Sequence, residues 1–270
     1  MTRAELAAKV DHTILKPDAT YEEIRNTIAY AKEIGAASVC LHPAYVALAA
    51  DMLKGSDTLV CTVIGFPQGA NNTLTKAQEA RTAYLYGARE LDMVINVGAL
   101  KSGDEDYVRK DIAAVVAATP GIVKVILETG MLTKEEIQTA CRLCVEAGAA
   151  FVKTSTGYGP RGASVEDIKI MRASTPPTMR IKAAGGIGTL ADAKALTAAG
   201  ADRLGMSRTA SVLAELDAEN AAKKESKPAA KAPAKKAAAK PAAKKPAAKK
   251  APVKKAAPKA VAPATGEESK

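Results

Sequence analysis

The chain has 270 residues, 47% of them hydrophobic, with no tryptophan and two phenylalanines. That suffices for one large core of Val, Ile, Leu and Ala, and no apolar run approaches the roughly 18 residues that a membrane span requires. The net charge of +10 is unevenly divided: residues 221–270 hold 15 lysines against three acids, whereas the first 220 hold 24 basic and 26 acidic residues.

The N-terminus, Met1-Thr2-Arg3-Ala4-Glu5, lacks the charged-then-apolar pattern of a secretory signal, so a cytoplasmic protein is expected. A short helix is predicted over Arg3 to Lys9, then a strand over Val10 to Leu15 that ends at Lys16-Pro17-Asp18. Thr20 is placed to cap the next helix, with Glu22 and Glu23 in its first turn, where the helix dipole favours acids. From there one unit recurs. A helix ends in Gly-Ala and a strand begins within a few residues, at Gly35-Ala36, Gly87-Ala88, Gly148-Ala149 and Gly200-Ala201. The strands so introduced are Ser38–His42, Glu90–Asn96, Phe151–Thr156 and Arg203–Ser207. Thr58–Ile64, Ile122–Glu128 and Arg180–Ala184 lie between them. Eight strands alternating with helices imply a parallel sheet closed into a (β/α)₈ barrel, with a doubly wound open sheet as the competing fold. No G-x-G-x-x-G follows the first strand, which counts against the open sheet.

Residues 1–220 are therefore read as one barrel domain and 221–270 as a tail. In the tail, Lys, Ala and Pro dominate and no aromatic residue occurs, so disorder is expected there. The tail's charge can neutralise phosphates but cannot stack bases, which predicts at most weak, sequence-independent binding to nucleic acid. A solvated tail without a dedicated partner is the alternative.

Four cysteines occur, at 40, 61, 141 and 144. Cys141-Arg142-Leu143-Cys144 has the spacing of a metal or redox pair. It lies inside a helical pattern with no second pair or nearby His, so small-residue packing is the expected role.

Catalytic groups in such a barrel sit at the C-terminal ends of the strands. Four strands carry charge at inward-facing positions: Asp11 on the first, Asp92 on the fourth, Lys153 on the sixth and Lys182 on the seventh. Their neighbours, such as Leu91 and Met93 or Ile181 and Ala183, alternate to the helix-facing side. A lone strand charge is usually a solvated end, but two lysines and two aspartates converging on one lumen suggest chemistry. A second ammonium, Lys182, would favour the neutral amine of Lys153, a nucleophile for carbonyl addition. Asp92 is placed to move protons about the resulting iminium. Gly157-Tyr158-Gly159, Gly185-Gly186-Ile187-Gly188 and Gly205-Met206-Ser207 follow the last three strands. Backbone N–H groups in such turns can hold a phosphate.

Asp11-His12-Thr13, Glu90-Leu91-Asp92-Met93-Val94-Ile95-Asn96, Phe151-Val152-Lys153-Thr154-Ser155-Thr156-Gly157 and Ile181-Lys182-Ala183-Ala184-Gly185-Gly186 together resemble the signatures of the deoxyribose-phosphate aldolases, in that family's order. The resemblance covers about residues 1–216. It implies a class I aldolase that works without a metal or cofactor. Such an enzyme interconverts 2-deoxy-D-ribose 5-phosphate with acetaldehyde and glyceraldehyde 3-phosphate. It further implies that Lys153 forms the Schiff base, that Asp92 and Lys182 exchange protons, and that Asp11 orients Lys182. Thr154, Gly157, Gly185, Gly186, Gly205 and Ser207 are the expected substrate and phosphate contacts. The pattern departs from the family at Ser207-Arg208, where two small hydroxyl residues are common. A sugar-phosphate isomerase or epimerase on the same barrel, and a nucleic-acid-binding protein using the barrel as a scaffold, remain as alternatives. Oligomers of the barrel are compatible with either enzyme reading.

Overall fold

Eight parallel strands close on themselves in chain order in the computed structural model, which describes residues 1–225. They are β1 (Val10–Ile14), β2 (Ser38–Leu41), β3 (Leu59–Ile64), β4 (Glu90–Val94), β5 (Ile122–Ile126), β6 (Phe151–Lys153), β7 (Arg180–Ala184) and β8 (Arg203–Met206), with β8 pairing back onto β1. The (β/α)₈ barrel is thus the fold, and the open sheet is excluded.

Helices lie outside. They are α1 (Arg3–Ala7), α2 (Tyr21–Glu33), α3 (Val46–Met52), α4 (Thr73–Leu85), α5 (Val97–Lys101), α6 (Glu105–Ala117), α7 (Lys134–Glu146), α8 (Val165–Ala173), α9 (Leu190–Ala198) and α10 (Thr209–Glu225). Local sequence starts several of them. Thr20 accepts from the Glu23 N–H while the Glu23 carboxylate accepts from the Thr20 N–H. Thr133 with Glu136 and Thr189 with Asp192 repeat this reciprocal cap. Where α2, α4, α7 and α9 end, Gly35, Gly87, Gly148 and Gly200 all take positive φ, the cap conformation expected of the repeating Gly-Ala units. No helix among the described residues is long and apolar enough to cross a membrane.

Alternation along each strand sorts the side chains into two environments. Leu91 and Met93 on β4, Val123 and Val125 on β5, Val152 on β6, and Ile181 and Ala183 on β7 join the helices in one buried apolar cluster. The opposite parity faces the barrel axis. Cys141 and Cys144 are buried in the outer cluster, on α7, in keeping with the packing role expected of them.

Most strands end one or two residues short of the sequence reading, β4 at Val94 and β5 at Ile126 among them, and two boundaries differ further. β6 stops at Lys153 rather than Thr156; the Thr154 N–H still donates to the Lys182 carbonyl and its carbonyl accepts from the Thr129 N–H, and the chain then enters the site loop. Helix α10 runs to Glu225, past the boundary drawn at residue 220. Ala221-Ala222-Lys223-Lys224-Glu225 are all good helix formers, and the first proline of the lysine-rich segment is Pro228. The rest of the segment read as a tail lies outside the described residues.

Candidate active site

The axis-facing parity of the strands fills the lumen with charge. Lys153 on β6 is 2% exposed, and its Nζ donates to Asp92 Oδ2 at 2.7 Å. Lys182, its register partner on β7, donates to the same oxygen at 2.6 Å and forms an ion pair with Asp11. Lys124 on β5 is fully buried at the centre of the set. Its Nζ meets Asp92 Oδ1 at 2.9 Å, Asp11 Oδ2 at 3.0 Å and Glu90 Oε2 at 2.7 Å. Arg203, at the start of β8, closes the network below by donating to Asp11 Oδ1 and to Glu90 Oε2. The ring of Phe151 lies under the charges, with the Arg180 guanidinium 4.0 Å from its centroid.

Burial by itself would raise the Asp92 carboxyl. The Lys124, Lys153 and Lys182 ammonium groups outweigh it and hold Asp92 well below the usual carboxylate range. Asp11 is lowered in the same way, burial being opposed by Lys124, Lys182 and Arg203. For Lys182 burial works against the charge, but Asp11 and Asp92 win and raise it above an ordinary lysine. Lys182 is therefore a fixed ammonium beside Lys153. Three carboxylates (Asp11, Glu90, Asp92) face four bases (Lys124, Lys153, Lys182, Arg203), so one base has no carboxylate of its own. Cys61 with Asp11 and Glu90, and Cys40 with Cys61 and Asp92, bring possible metal-ligand atoms within 4.8 Å of one another. The Lys124 ammonium already occupies that space, hydrogen-bonded to Asp11, Asp92 and the Cys61 sulfur.

Above the lysines opens a cavity of about 730 Å³. Its lining contains Lys16, Lys153, Lys182 and Arg208 and not one carboxylate. His12 also lines it, but burial pushes the imidazole down to about 4, so it is neutral at pH 7. On one side lie the turns after β7 and β8. The backbone N–H groups of Gly186, Ile187, Ser207 and Arg208 there make no hydrogen bond among the described residues. On the other side Tyr158 O–H and His42 Nε2 both meet the Leu15 carbonyl, and Phe66 packs edge-on against both rings. The arrangement offers an amine, a carboxylate hydrogen-bonded to it, and a cationic pocket for an anionic group.

The model of the DeoC/LacD family aldolases matches residues 6–210. The chain belongs to that aldolase family. A deoxyribose-phosphate aldolase of Thermoanaerobacter sp. (strain X514) is 53% identical over 214 residues, 78% of this chain and 96% of the relative. One from Bacillus cereus (strain AH187) is 53% identical over 210 residues, covering 77% and 94%. A solved deoxyribose phosphate aldolase from Aeropyrum pernix, described as having a unique tetrameric structure, superposes with a TM-score of 0.75. It is 32% identical and is covered over 81% of this chain and 93% of that one. Neither the isomerase nor the nucleic-acid alternative finds support in these comparisons.

Within this aldolase the predicted residues fall into three groups. Lys153, Lys182, Gly157, Gly185, Gly186, Gly205 and Ser207 line the cavity. Asp11 and Asp92 are fully buried beneath it and reach it through the lysines. Thr154 belongs to neither. It is fully buried, its hydroxyl donates to the Ala184 carbonyl at 3.1 Å and accepts from the Ala184 N–H at 3.0 Å, so it ties β6 to β7 rather than facing the cavity. Gly205 contributes space. A Cβ there would stand 2.9 Å from Lys182 Cε and 3.0 Å from Ala184 Cβ, so glycine is what lets Lys182 lie along β8.

Sequence reasoning missed Lys124, Glu90 and Arg203, although Lys124 shares its strand parity with the lumen: it is the middle of Ile122-Val123-Lys124-Val125-Ile126. It also missed Glu128, which follows β5 with φ 57°, a left-handed conformation for a residue with a side chain. The Glu128 carboxylate is 3% exposed and accepts from both the N–H and the hydroxyl of Thr156, anchoring the loop that carries Gly157 and Tyr158 into the cavity.

Proposed function

We propose that this chain catalyses the reversible retro-aldol cleavage of 2-deoxy-D-ribose 5-phosphate through a Schiff base on Lys153. The neutral amine of Lys153 adds to the C1 aldehyde, and loss of water leaves an iminium. The C3 hydroxyl loses its proton, the C2–C3 bond breaks, and its electron pair moves into the iminium to form an enamine. D-glyceraldehyde 3-phosphate departs. Protonation at C2 and hydrolysis of the regenerated iminium then release acetaldehyde and the free amine. Asp92, in contact with Lys153 and Lys182, serves the proton transfers. Lys182, held as an ammonium by Asp11 and Asp92, stands on the neighbouring strand beside the reacting amine.

The observation that carries this reading is the bond from Lys153 to Asp92 at the base of a cavity with four basic side chains and no carboxylate in its lining. A covalent imine needs the amine. The phosphorylated substrate needs an anion-accepting pocket, and the free N–H groups after β7 and β8 are suited to it. The test is a retro-aldol assay on deoxyribose 5-phosphate, paired with borohydride reduction in the presence of acetaldehyde. The expected result is turnover and a stable two-carbon adduct on Lys153, both lost in Lys153→Ala. Turnover retained by Lys153→Ala would overturn the mechanism.

A further inference from the structure

Arg208 stands at the rim of the cavity with its side chain exposed and its guanidinium free of hydrogen bonds and ion pairs among the described residues. Nη1 lies 3.1 Å from where a Cβ on Gly188 would stand, so the side chain rests on the bend between β7 and α9. The N–H groups that begin α9 are not available to an anion. Those of Gly188 and Thr189 donate to Asp192 Oδ2 at 3.2 and 3.0 Å, and that of Leu190 donates to Glu215 Oε2 at 2.7 Å. The Thr189 hydroxyl and the Gly188 N–H hold Asp192 below the usual carboxylate range, and neither Asp192 nor Glu215 lines the cavity.

The other cations lining the cavity already have carboxylate partners. Lys16 is paired with Glu23, and Lys153 and Lys182 are bound to Asp92. Arg208 is the one lining cation without a carboxylate partner among the described residues. The open N–H groups of Gly186, Ile187, Ser207 and Arg208 are dipoles with no formal charge, and they can donate to neutral and charged oxygens alike.

We propose that Arg208 is a specificity-determining residue that makes the cavity select a phosphorylated aldose over the unphosphorylated sugar. The inference rests on the aldolase reading above. A guanidinium presents two parallel N–H donors to two phosphate oxygens, an arrangement that a sugar hydroxyl cannot match and that a lysine reproduces only as a point charge.

The experiment compares wild type, Arg208→Ala and Arg208→Lys on deoxyribose 5-phosphate and on deoxyribose, together with calorimetric binding of inorganic phosphate. In Arg208→Ala the ratio of kcat/KM for the phosphorylated over the bare sugar should fall about 10- to 100-fold, the range for losing a charge-assisted hydrogen bond. The loss should appear in KM more than in kcat. Phosphate affinity should fall in parallel, and Arg208→Lys should recover part of both. An unchanged ratio, or an equal loss on both sugars, would overturn the proposal, because Arg208 would then merely shape the rim. Should wild type fail to cleave deoxyribose 5-phosphate, the aldolase reading fails instead. The phosphate titration still decides Arg208 in that case: equal affinity in wild type and Arg208→Ala would overturn its role.

Discussion

Lys153 and Lys182 are register neighbours on β6 and β7, and both donate to one oxygen, Oδ2 of Asp92, at 2.7 and 2.6 Å. Among the described residues Asp92 is the one carboxylate that bridges the two lysines in the buried lumen. Asp92→Asn keeps an amide of the same shape but removes the charge and the proton-carrying group. We expect kcat to fall by about 10²- to 10⁴-fold, the usual worth of a general acid–base. The borohydride adduct on Lys153 should still form. If no adduct can be trapped in this variant, Asp92 acts before imine formation rather than after it.

Lys124 is a prediction of a different kind, since it does not line the cavity. Its ammonium is shared by Asp11, Glu90 and Asp92, all fully buried. Lys124→Met fills a similar volume and removes the cation that the three buried carboxylates share. Breaking a buried ionic set in this way costs about 3–5 kcal/mol. Urea unfolding should show a loss of that size, and a change under about 1 kcal/mol would indicate that water takes over the ammonium's place.

His12 gives the fold a pH dependence. Burial lowers its imidazole from 6.5 to about 4, and Nδ1 sits 2.8 Å from the Thr209 hydroxyl. Between those values the unfolded chain binds a proton that the folded chain does not, so stability falls as the pH drops from about 6.5 to 4 and levels off below. His12→Gln preserves a donor near Thr209 and removes the titration. Its urea midpoint plotted against pH should be flatter than wild type over that window. Parallel curves would place the acid sensitivity elsewhere.

Glu128 combines a left-handed backbone, φ 57°, with a carboxylate that holds Thr156. A side chain at such a position costs about 1 kcal/mol relative to glycine, so its presence points to the carboxylate's contacts. Glu128→Ala keeps the backbone cost and loses the anchor, whereas Glu128→Gly loses only the anchor. The glycine variant should therefore be more stable than the alanine variant by about 1 kcal/mol in denaturant titrations. Both should show a raised KM, because Gly157 and Tyr158 lose their support. Equal stability of the two would mean that the backbone relaxes once the carboxylate is gone.

The barrel was legible in the sequence because four of its strands announce themselves twice, by a capping glycine at the preceding helix end and by a strand-like run behind it. Lys153, Lys182, Asp92 and Asp11 were legible because each interrupts an apolar strand at a position that alternation sends inward. Lys124 obeys the same rule and was overlooked for lack of a neighbouring motif. Glu90 and Arg203 open their strands, where a charge ordinarily reaches water. Here the lumen is closed below by Phe151, and they turn inward instead. Thr154 shows the limit of reading a strand past its end. Its place beside Lys153 suggested a substrate contact, but the opposite parity sends its hydroxyl to the β7 backbone. Glu128 could not be found from sequence at all, because its left-handed backbone is set by the loop that it holds.

The shared carboxylates of the lumen also constrain how this enzyme can change. Every group proposed to act on the imine is at once a structural member of the barrel's ionic centre, so a substitution there alters folding and chemistry together. Ser207 and Arg208 at the rim are exposed and carry no contact into that centre among the described residues, and the Tyr158 side chain meets the Leu15 carbonyl and the Phe66 ring. New substrate preferences are therefore accessible by drift at these three positions, one residue at a time, whereas a change of reaction would require several lumen residues to be replaced at once.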